Sequence, residues 1–185
     1  MLSERLGKPD VAEKAYRRSD WGAAYGVAEA YRRDHPTSRE ATLLVMRSLA
    51  QVGRCEAALN LSGQVVDVEP DDLRLIASCL VAQGVRSGSS QALEAAAELY
   101  RRILEMKPAD GDGLKQRAAL LVQLDRPIEA VEEALKLAEI PAHARSAHAI
   151  MGTIHYGRGD YTQASEHLLK VLELDPELKL GPESP

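Results

Sequence analysis

Five alanines recur along this chain at a nearly constant spacing, and that spacing limits the folds the chain can adopt. They are Ala24, Ala58, Ala96, Ala130 and Ala164. Successive members lie 34, 38, 34 and 34 residues apart, and a proline follows twelve residues after four of the five. A repeat of this length corresponds to one supersecondary unit, which buries its apolar face only by stacking on its neighbours. The spacing therefore predicts a row of similar units.

The last unit shows why its residues favour a pair of helices. Gly152 and Ala164 are small, so the two helices can approach closely where they cross, and Leu168 fills the space beside that contact. Gly159 can take the left-handed conformation that ends the first helix. Asp160 is then placed to cap the second helix. This order of residue types predicts a helix, a tight turn and a second helix.

A 34-residue repeat with an alanine, then a bulky residue and then a closing proline resembles the tetratricopeptide repeat. The resemblance covers residues 5–176 and implies an all-α fold, a right-handed solenoid of about five helix-turn-helix repeats. The predicted repeats are residues 5–36, 39–70, 73–108, 111–142 and 145–176. They form one array within residues 1–176, and residues 177–185 are predicted to be a disordered tail.

Three local features refine the predicted helix boundaries. Thr37 and Glu40 have the spacing of a capping box that opens the first helix of the second repeat. Pro127 falls in the first turn of a helix, where its missing N–H has little effect. The third repeat carries four extra residues, and the two glycines and three serines of residues 84–90 predict a flexible loop. The second helix of that repeat is expected to begin near Gln91.

The charge balance argues against a nucleic-acid partner. The chain carries 28 acidic and 23 basic residues, whereas nucleic-acid binders usually display a basic stripe. No apolar run approaches the ~20 residues that a membrane span needs, and the start lacks the apolar core of a secretory signal. We therefore expect no nucleic-acid binding, no membrane insertion and a cytoplasmic location.

The two cysteines, Cys55 and Cys79, lie in different predicted helices. We interpret them as packing residues of a protein from a reducing compartment, where disulfides are rare. A disulfide between them remains the alternative.

Members of the family typically bind peptides on a concave face lined by the first helix of each repeat, and this implies a candidate site. If the chain is similar, nine residues at the inward positions of those helices contact a partner. They are Tyr16, Arg17, Leu43, Arg47, Gln51, Lys115, Val122, Gln123 and Tyr156. The cations suit carboxylates and carbonyls, and the tyrosines and aliphatic residues suit apolar side chains. The expected partner is another protein or a peptide.

Chaperone-binding members of the family hold a C-terminal carboxylate with paired asparagines and lysines in this groove. Asn60 is the sole asparagine of the sequence, and it falls in a predicted second helix. Binding of a chaperone tail is therefore not expected.

The sequence carries no recognisable catalytic or cofactor motif. It has neither a phosphate-binding glycine loop nor a G-x-S-x-G elbow, and its histidines form no H-E-x-x-H pair. His148 and His155 lie seven residues apart on one predicted helix face. We interpret them as packing residues, with a pH-sensitive last repeat as a further hypothesis. No enzymatic activity, cofactor or metal is expected.

The resemblance implies a non-enzymatic interaction module that acts as an adaptor, a scaffold or an assembly chaperone. Leu168, Leu169 and Leu172 in the last helix have no following repeat to cover them. Assembly of a homo-oligomer through the C-terminal repeat is therefore a further hypothesis. Two alternative functions follow: a structural subunit that self-assembles through its ends, and a helper domain of a larger enzyme.

Overall fold

A computed structural model describes residues 9–65 and 67–176 of the protein, and helices joined by short turns make up this part of the chain. The helices are α1 (Pro9–Arg17), α2 (Trp21–Asp34), α3 (Arg39–Gln51), α4 (Cys55–Ser62), α5 (Pro70–Ser87), α6 (Ser90–Met106), α7 (Gly111–Gln123), α8 (Pro127–Ala138), α9 (Ala144–Gly157) and α10 (Tyr161–Leu174), with a 3₁₀ turn at Pro141–His143. The described residues contain no strand, which confirms the all-α prediction. The predicted tail, residues 177–185, lies outside the described residues, as do residues 5–8 of the first predicted repeat.

The helices follow one another in packed pairs. We call the first helix of each pair, α1, α3, α5, α7 and α9, the A helix, and the second helix the B helix. The A helix packs on its B helix in the pairs α1 with α2, α3 with α4, α7 with α8 and α9 with α10. Neighbouring A helices also pack together, α1 with α3, α3 with α5 and α7 with α9. The chain divides into two compact units, Met1–Leu99 and Tyr100–Pro185, and the boundary falls within α6.

In the first unit the core is centred on α3. This helix packs against α1, α2, α4 and α5, and it buries residues on every side. Its largest fully buried side chains are Leu44 and Met46. A helix that buries residues on nearly every side is stable only when other elements surround it. The sequence of α3 therefore requires the four neighbours that the structure provides.

In the second unit the core forms where α9 packs on α7 and α8. Leu114, Leu137 and Met151 meet in one buried cluster, and Leu121 and Ile154 meet in another. Small residues allow the helices to come close, and both clusters include fully buried alanines. Each fully buried leucine contributes roughly 1.5–3 kcal/mol through the removal of its apolar surface from water.

The close crossing predicted for the last pair of helices is confirmed. A Cβ atom added at Gly152 would lie 3.2 Å from two carbons of Leu168 and 3.6 Å from the carbonyl oxygen of Ala164. Gly159 has a φ of 79°, the left-handed conformation expected after the A helix. Pro127 begins α8, as its position in the sequence predicts.

Two of the predicted helix caps are wrong in detail. The cap of α3 is Ser38 rather than Thr37, and the Ser38 side chain accepts a hydrogen bond from the backbone N–H of Ala41 at 3.3 Å. Asp160 is the N-cap residue of α10, but its side chain makes no capping hydrogen bond. The Asp160 carboxylate instead lies 3.7 Å from both Arg158 and His155. Competing charged neighbours therefore direct this side chain away from the helix end.

The predicted flexible loop at residues 84–90 is largely helix. The inserted residues lengthen α5 through Ser87, and the chain turns at Gly88, which has a φ of 66°. Gly84 lies inside the helix, where an added Cβ would be 2.7 Å from a methyl carbon of Leu93 in α6. The sequence pattern was misleading here because Gly84 serves close helix packing rather than flexibility.

The prediction of two separate packing cysteines is also wrong. Cys55 and Cys79 form a disulfide, with their Cα atoms 5.5 Å apart. The bond joins the first residue of α4 to the middle of α5. The disulfide removes one of the reasons to expect a reducing compartment, because disulfides persist mainly in oxidising compartments.

Candidate functional site

The nine predicted site residues all lie on A helices, and the structure divides them into accessible and internal residues. The exposed or half-buried residues among them, apart from Arg47, are Tyr16, Arg17, Gln51, Lys115, Val122, Gln123 and Tyr156. Leu43 and Arg47 have internal roles in the first unit. The accessible residues fall in both compact units, and each unit is described separately.

In the first unit the structure brings Tyr16 and Gln51 together. The Gln51 side-chain amide donates to the Tyr16 hydroxyl at 3.5 Å, which links the ends of α1 and α3. The ring of Tyr16 also meets Trp21 edge to face, with ring centroids 4.7 Å apart. Arg17 is exposed and pairs with Glu13 one turn earlier at 2.6 Å. These contacts form a mixed polar and aromatic surface at the end of α1.

Leu43 and Arg47, which the resemblance placed among the partner-binding residues, make contacts inside the first unit. Leu43 is only 7% exposed and belongs to the core around α3. Arg47 forms two hydrogen bonds with the carboxylate of Asp72 on α5. These hydrogen bonds raise the pKa of the Arg47 guanidinium above its ordinary value. Both residues therefore contribute to the packing of the first unit, and Arg47 joins the neighbouring A helices α3 and α5.

In the second unit the accessible residues lie on α7 and α9, and we call Lys115, Val122, Gln123 and Tyr156 the α7/α9 face. Lys115 and Gln123 are exposed on α7. Val122 is half-buried because it packs on the cluster formed by Leu121 and its neighbours. Tyr156 near the end of α9 is 66% exposed. The α7/α9 face therefore combines a cation, an amide and an exposed aromatic ring on helices that the core holds in place.

Sequence reasoning missed that an aromatic partner accompanies Tyr156. Tyr161, at the start of α10, is also 66% exposed, and its ring meets Tyr156 edge to face at a centroid distance of 5.6 Å. Tyr16 and Trp21 form the same kind of pair in the first unit. In both pairs the two aromatic residues are five positions apart. That repeated spacing is the sequence signal that could have identified them.

A buried ion pair lies beside a small pocket of the second unit, and none of the predicted site residues lines that pocket. Arg117 on α7 pairs with Glu133 on α8, and Lys136 adds a second cation 3.5 Å from the same carboxylate. The pocket has a volume of about 260 Å³ and is lined in part by these three residues. A buried carboxylate that is surrounded by two cations stabilises the contact between α7 and α8 only while its partners remain.

The described residues offer no cluster of three His, Cys, Asp or Glu side chains that could hold a metal ion. Among the helices of residues 9–65 and 67–176, none has both the length and the apolar character needed to cross a bilayer.

Comparisons with known proteins agree with the helical pairs. The tetratricopeptide repeat model matches residues 146–178. No curated protein matches the chain significantly in sequence. Among solved structures, the chain is similar to the crystal structure of MamA, with a TM-score of 0.72 and 15% identity over 90% of this chain and 95% of that chain.

Two further structures show the same likeness. MamA 41-end from Desulfovibrio magneticus RS-1 has a TM-score of 0.69 and 17% identity over 94% of this chain and 99% of that chain. YrrB, described as a TPR protein with an unusual peptide-binding site, has a TM-score of 0.73 and 15% identity over 90% of this chain and 84% of that chain. At this level of identity the likeness concerns the fold.

The fold is typical of protein-interaction modules, and neither the family match nor the similar structures indicate an enzymatic family. The family match therefore shows a tetratricopeptide repeat in residues 146–178, and the similar structures show the same fold over most of the chain.

Proposed function

We propose that this protein is a non-enzymatic interaction module that binds a peptide segment of a partner protein on the α7/α9 face. In this role it acts as an adaptor, a scaffold or an assembly chaperone. The observation that carries the proposal is Tyr156, an aromatic ring that is 66% exposed on a helix anchored in the core. Tyrosine is enriched among the residues that dominate binding energy, and an exposed aromatic surface of more than one ring favours an interaction site.

Tyr161 and the other residues of the α7/α9 face define the chemistry of the proposed partner. Tyr161 extends the aromatic surface, so an apolar side chain of the peptide can pack against two rings. Lys115 supplies a positive charge for a carboxylate, and Gln123 supplies both a donor and an acceptor for a peptide backbone. The proposed ligand is therefore a segment with an apolar anchor and an acidic residue.

Rigid helices make this binding efficient. Ile150 and Ile154 pack α9 against α7 and α8, which holds Tyr156 in place before a partner arrives. A preformed surface loses little conformational entropy on binding. The peptide-binding site described for YrrB, which shares the fold, supports a function of this class.

A peptide display experiment tests the proposal. Peptides would be selected on the whole protein, and the affinity of the best one would be measured by fluorescence anisotropy for the wild type, Tyr156→Ala and Lys115→Glu. We expect Tyr156→Ala to weaken binding about tenfold or more, the effect of losing a dominant aromatic contact. Lys115→Glu should weaken the binding of acidic peptides in particular.

Two matched variants provide the controls. Leu135→Ala removes a side chain that is 55% exposed on the B helix α8, and Lys107→Glu reverses an exposed charge between α6 and α7. Both should leave the affinity unchanged. Equal losses in the control variants, or unchanged affinity in Tyr156→Ala, would contradict binding at the α7/α9 face.

The exposed leucines of α10 favour self-association as a second function. Leu168, Leu169 and Leu174 are 46%, 59% and 46% exposed, respectively. A second copy of the chain that packs on this helix would cover them, as a further repeat would in a longer array. Light scattering over a range of concentrations tests self-association. The Leu169→Glu variant should have a lower measured mass than the wild type at the same concentration. A wild type that stays monomeric at every concentration would contradict self-association.

The predicted cytoplasmic location stays a prediction. The disulfide between Cys55 and Cys79 weighs against a reducing compartment, because cytosolic thiols are normally kept reduced. Blocking free thiols in intact cells before lysis, followed by mass analysis of the purified protein, would establish the state of these cysteines where the protein acts.

A further inference from the structure

Three imidazole rings gather in the last helical pair. His148 and His155 lie on α9, and His167 lies on α10. The Nδ1 atoms of His148 and His167 are 3.1 Å apart. The ring of His155 stacks on that of His167, with centroids 5.4 Å apart and an angle of 14° between the planes. The three rings therefore form one continuous contact between the two helices.

The contact between His148 and His167 depends on their protons. At 3.1 Å two Nδ1 atoms form a hydrogen bond only when one nitrogen carries a proton and the other offers its lone pair. The pair can meet this condition with both imidazoles neutral or with one of them charged. When both rings are charged, both Nδ1 atoms carry protons, and the hydrogen bond is replaced by repulsion between two cations.

His155 adds to the sensitivity of the cluster. Its Nδ1 atom is buried and has no hydrogen-bond partner. The closest carboxylate oxygen, from Asp160, lies 3.7 Å away and is shared with Arg158 at the same distance. An additional proton on His155 would therefore be only partly compensated, and it would lie beside the stacked ring of His167.

Glu166 is the acidic residue that acts on His167. The contacts of α9 with α7 and α8 include two clusters of aliphatic residues, alanines and Met151. On α10 itself, Glu166 attracts a proton to His167. Removal of the ring from water and the nearby His148 and His155 outweigh that attraction, so the pKa of His167 is lowered from its ordinary value.

We propose that His148, His155 and His167 form an acid-sensitive latch that holds α10 against α9 while the imidazoles are largely neutral and loosens this contact when they become charged. The effect on the protein extends to its proposed binding function, because Tyr156 directly follows His155 and its partner Tyr161 begins α10. That last step rests on the proposed function of the α7/α9 face. The stability measurements below test the latch by itself.

The direction of the pH dependence follows from proton linkage. His167 has a lower pKa in the folded protein than in the unfolded chain, so the unfolded chain binds more protons as the pH falls below about 6.5. The stability that the neutral His167 ring contributes is therefore fully present above this pH. It is lost as the pH falls from the pKa of His167 in the unfolded chain to its pKa in the folded protein. Below the folded pKa the loss is complete and constant.

Thermal unfolding at about pH 7.5 and about pH 5.5 tests the latch with three asparagine variants. We expect the Tm of the wild type to fall by several degrees between the two values. His148→Asn and His167→Asn should each reduce that fall by half or more, whatever their Tm at the higher pH. His35→Asn is the control, because His35 is exposed and lies outside the cluster, against Tyr31. It should keep the wild-type pH dependence.

An equal fall in Tm between the two pH values in all three variants would overturn the proposal. A wild-type Tm that is the same at both pH values would also overturn it. NMR titration of the histidine rings in the unmodified protein provides an independent test that requires no variant. At least one ring of the cluster should gain its proton at a clearly lower pH than His35. Titration of all cluster rings together with His35 would also overturn the proposal.

Discussion

The guanidinium of Arg47 on α3 forms two hydrogen bonds with the buried carboxylate of Asp72 on α5, with Nε–Oδ1 2.5 Å and Nη2–Oδ2 3.0 Å. The Asp72 side chain is 5% exposed and that of Arg47 is 32% exposed. The pair therefore joins two neighbouring A helices through one buried and one partly solvated charge. It explains why an arginine that looks like a binding residue in the sequence has a structural role.

Substitution of Arg47 and substitution of Asp72 should each destabilise the protein, and the two losses should differ in size. Arg47→Met leaves the Asp72 carboxylate buried without its cation, and we expect it to lower the free energy of unfolding by about 2–3 kcal/mol. Asp72→Asn leaves a charge on Arg47 that water can still reach, so the loss should be smaller, about 1–2 kcal/mol. Urea unfolding of each variant measures the difference.

The double variant Arg47→Met/Asp72→Leu is the control for this interpretation. It removes both charges and keeps apolar volume, so it should recover part of the stability lost in Arg47→Met. Additive losses in the double variant would show that the two residues do not act as a pair.

The disulfide between α4 and α5 should contribute measurably to stability. Cys55 and Cys79 are 24 positions apart, and closing a loop of this length in the unfolded chain stabilises the folded state by about 3 kcal/mol. Urea unfolding with and without a reducing agent should show a loss of that order. The double variant Cys55→Ser/Cys79→Ser should unfold like the reduced protein and should not respond to the reducing agent.

An intact mass that shows two thiols in protein purified without a reducing agent would contradict the disulfide. Equal unfolding midpoints for the oxidised and reduced protein would contradict its contribution to stability.

Gly84 should be one of the least replaceable glycines in the chain. An alanine Cβ at this position would meet Leu93 at 2.7 and 2.9 Å and the carbonyl oxygen of Ser89 at 3.2 Å. We expect Gly84→Ala to lower the free energy of unfolding by about 1–2 kcal/mol, since α5 or α6 must shift. Thermal unfolding monitored by circular dichroism would detect the change.

Gly157 is the matched control for Gly84, because it also lies in an A helix and has open space around its Cα atom. Gly157→Ala should be neutral or stabilise the protein by about 0.5 kcal/mol, since alanine restricts the unfolded chain. A greater loss in Gly157→Ala than in Gly84→Ala would contradict the close packing of α5 and α6.

The sequence predicted the features that depend on neighbouring residues. The repeat spacing indicated paired helices, and Gly152 and Gly159 were identified as the crossing point and the turn of the last pair. These features follow from small residues and local backbone preference, which operate within one repeat. The accessible position of Tyr156 was implied by the resemblance to the tetratricopeptide repeat, which places this residue on the first helix of its repeat at an inward position.

The features that the sequence did not predict depend on contacts between separate helices. The pairing of Arg47 with Asp72 spans 25 positions, and the contact of His148 with His167 spans 19. Helix periodicity shows which side of a helix a residue occupies, but not which residue of another helix lies opposite. The insertion at residues 84–90 was misinterpreted because a glycine can serve close packing as well as flexibility.

The most direct test of the account is a map of the bound peptide on the whole protein. Hydrogen–deuterium exchange would be measured with and without the highest-affinity displayed peptide. The account predicts slower exchange in α7 and α9 around Lys115, Gln123 and Tyr156, with the outward side of α8 unaffected. Protection confined to the B helices α8 and α10, with no change in α7 and α9, would contradict the α7/α9 face as the binding site.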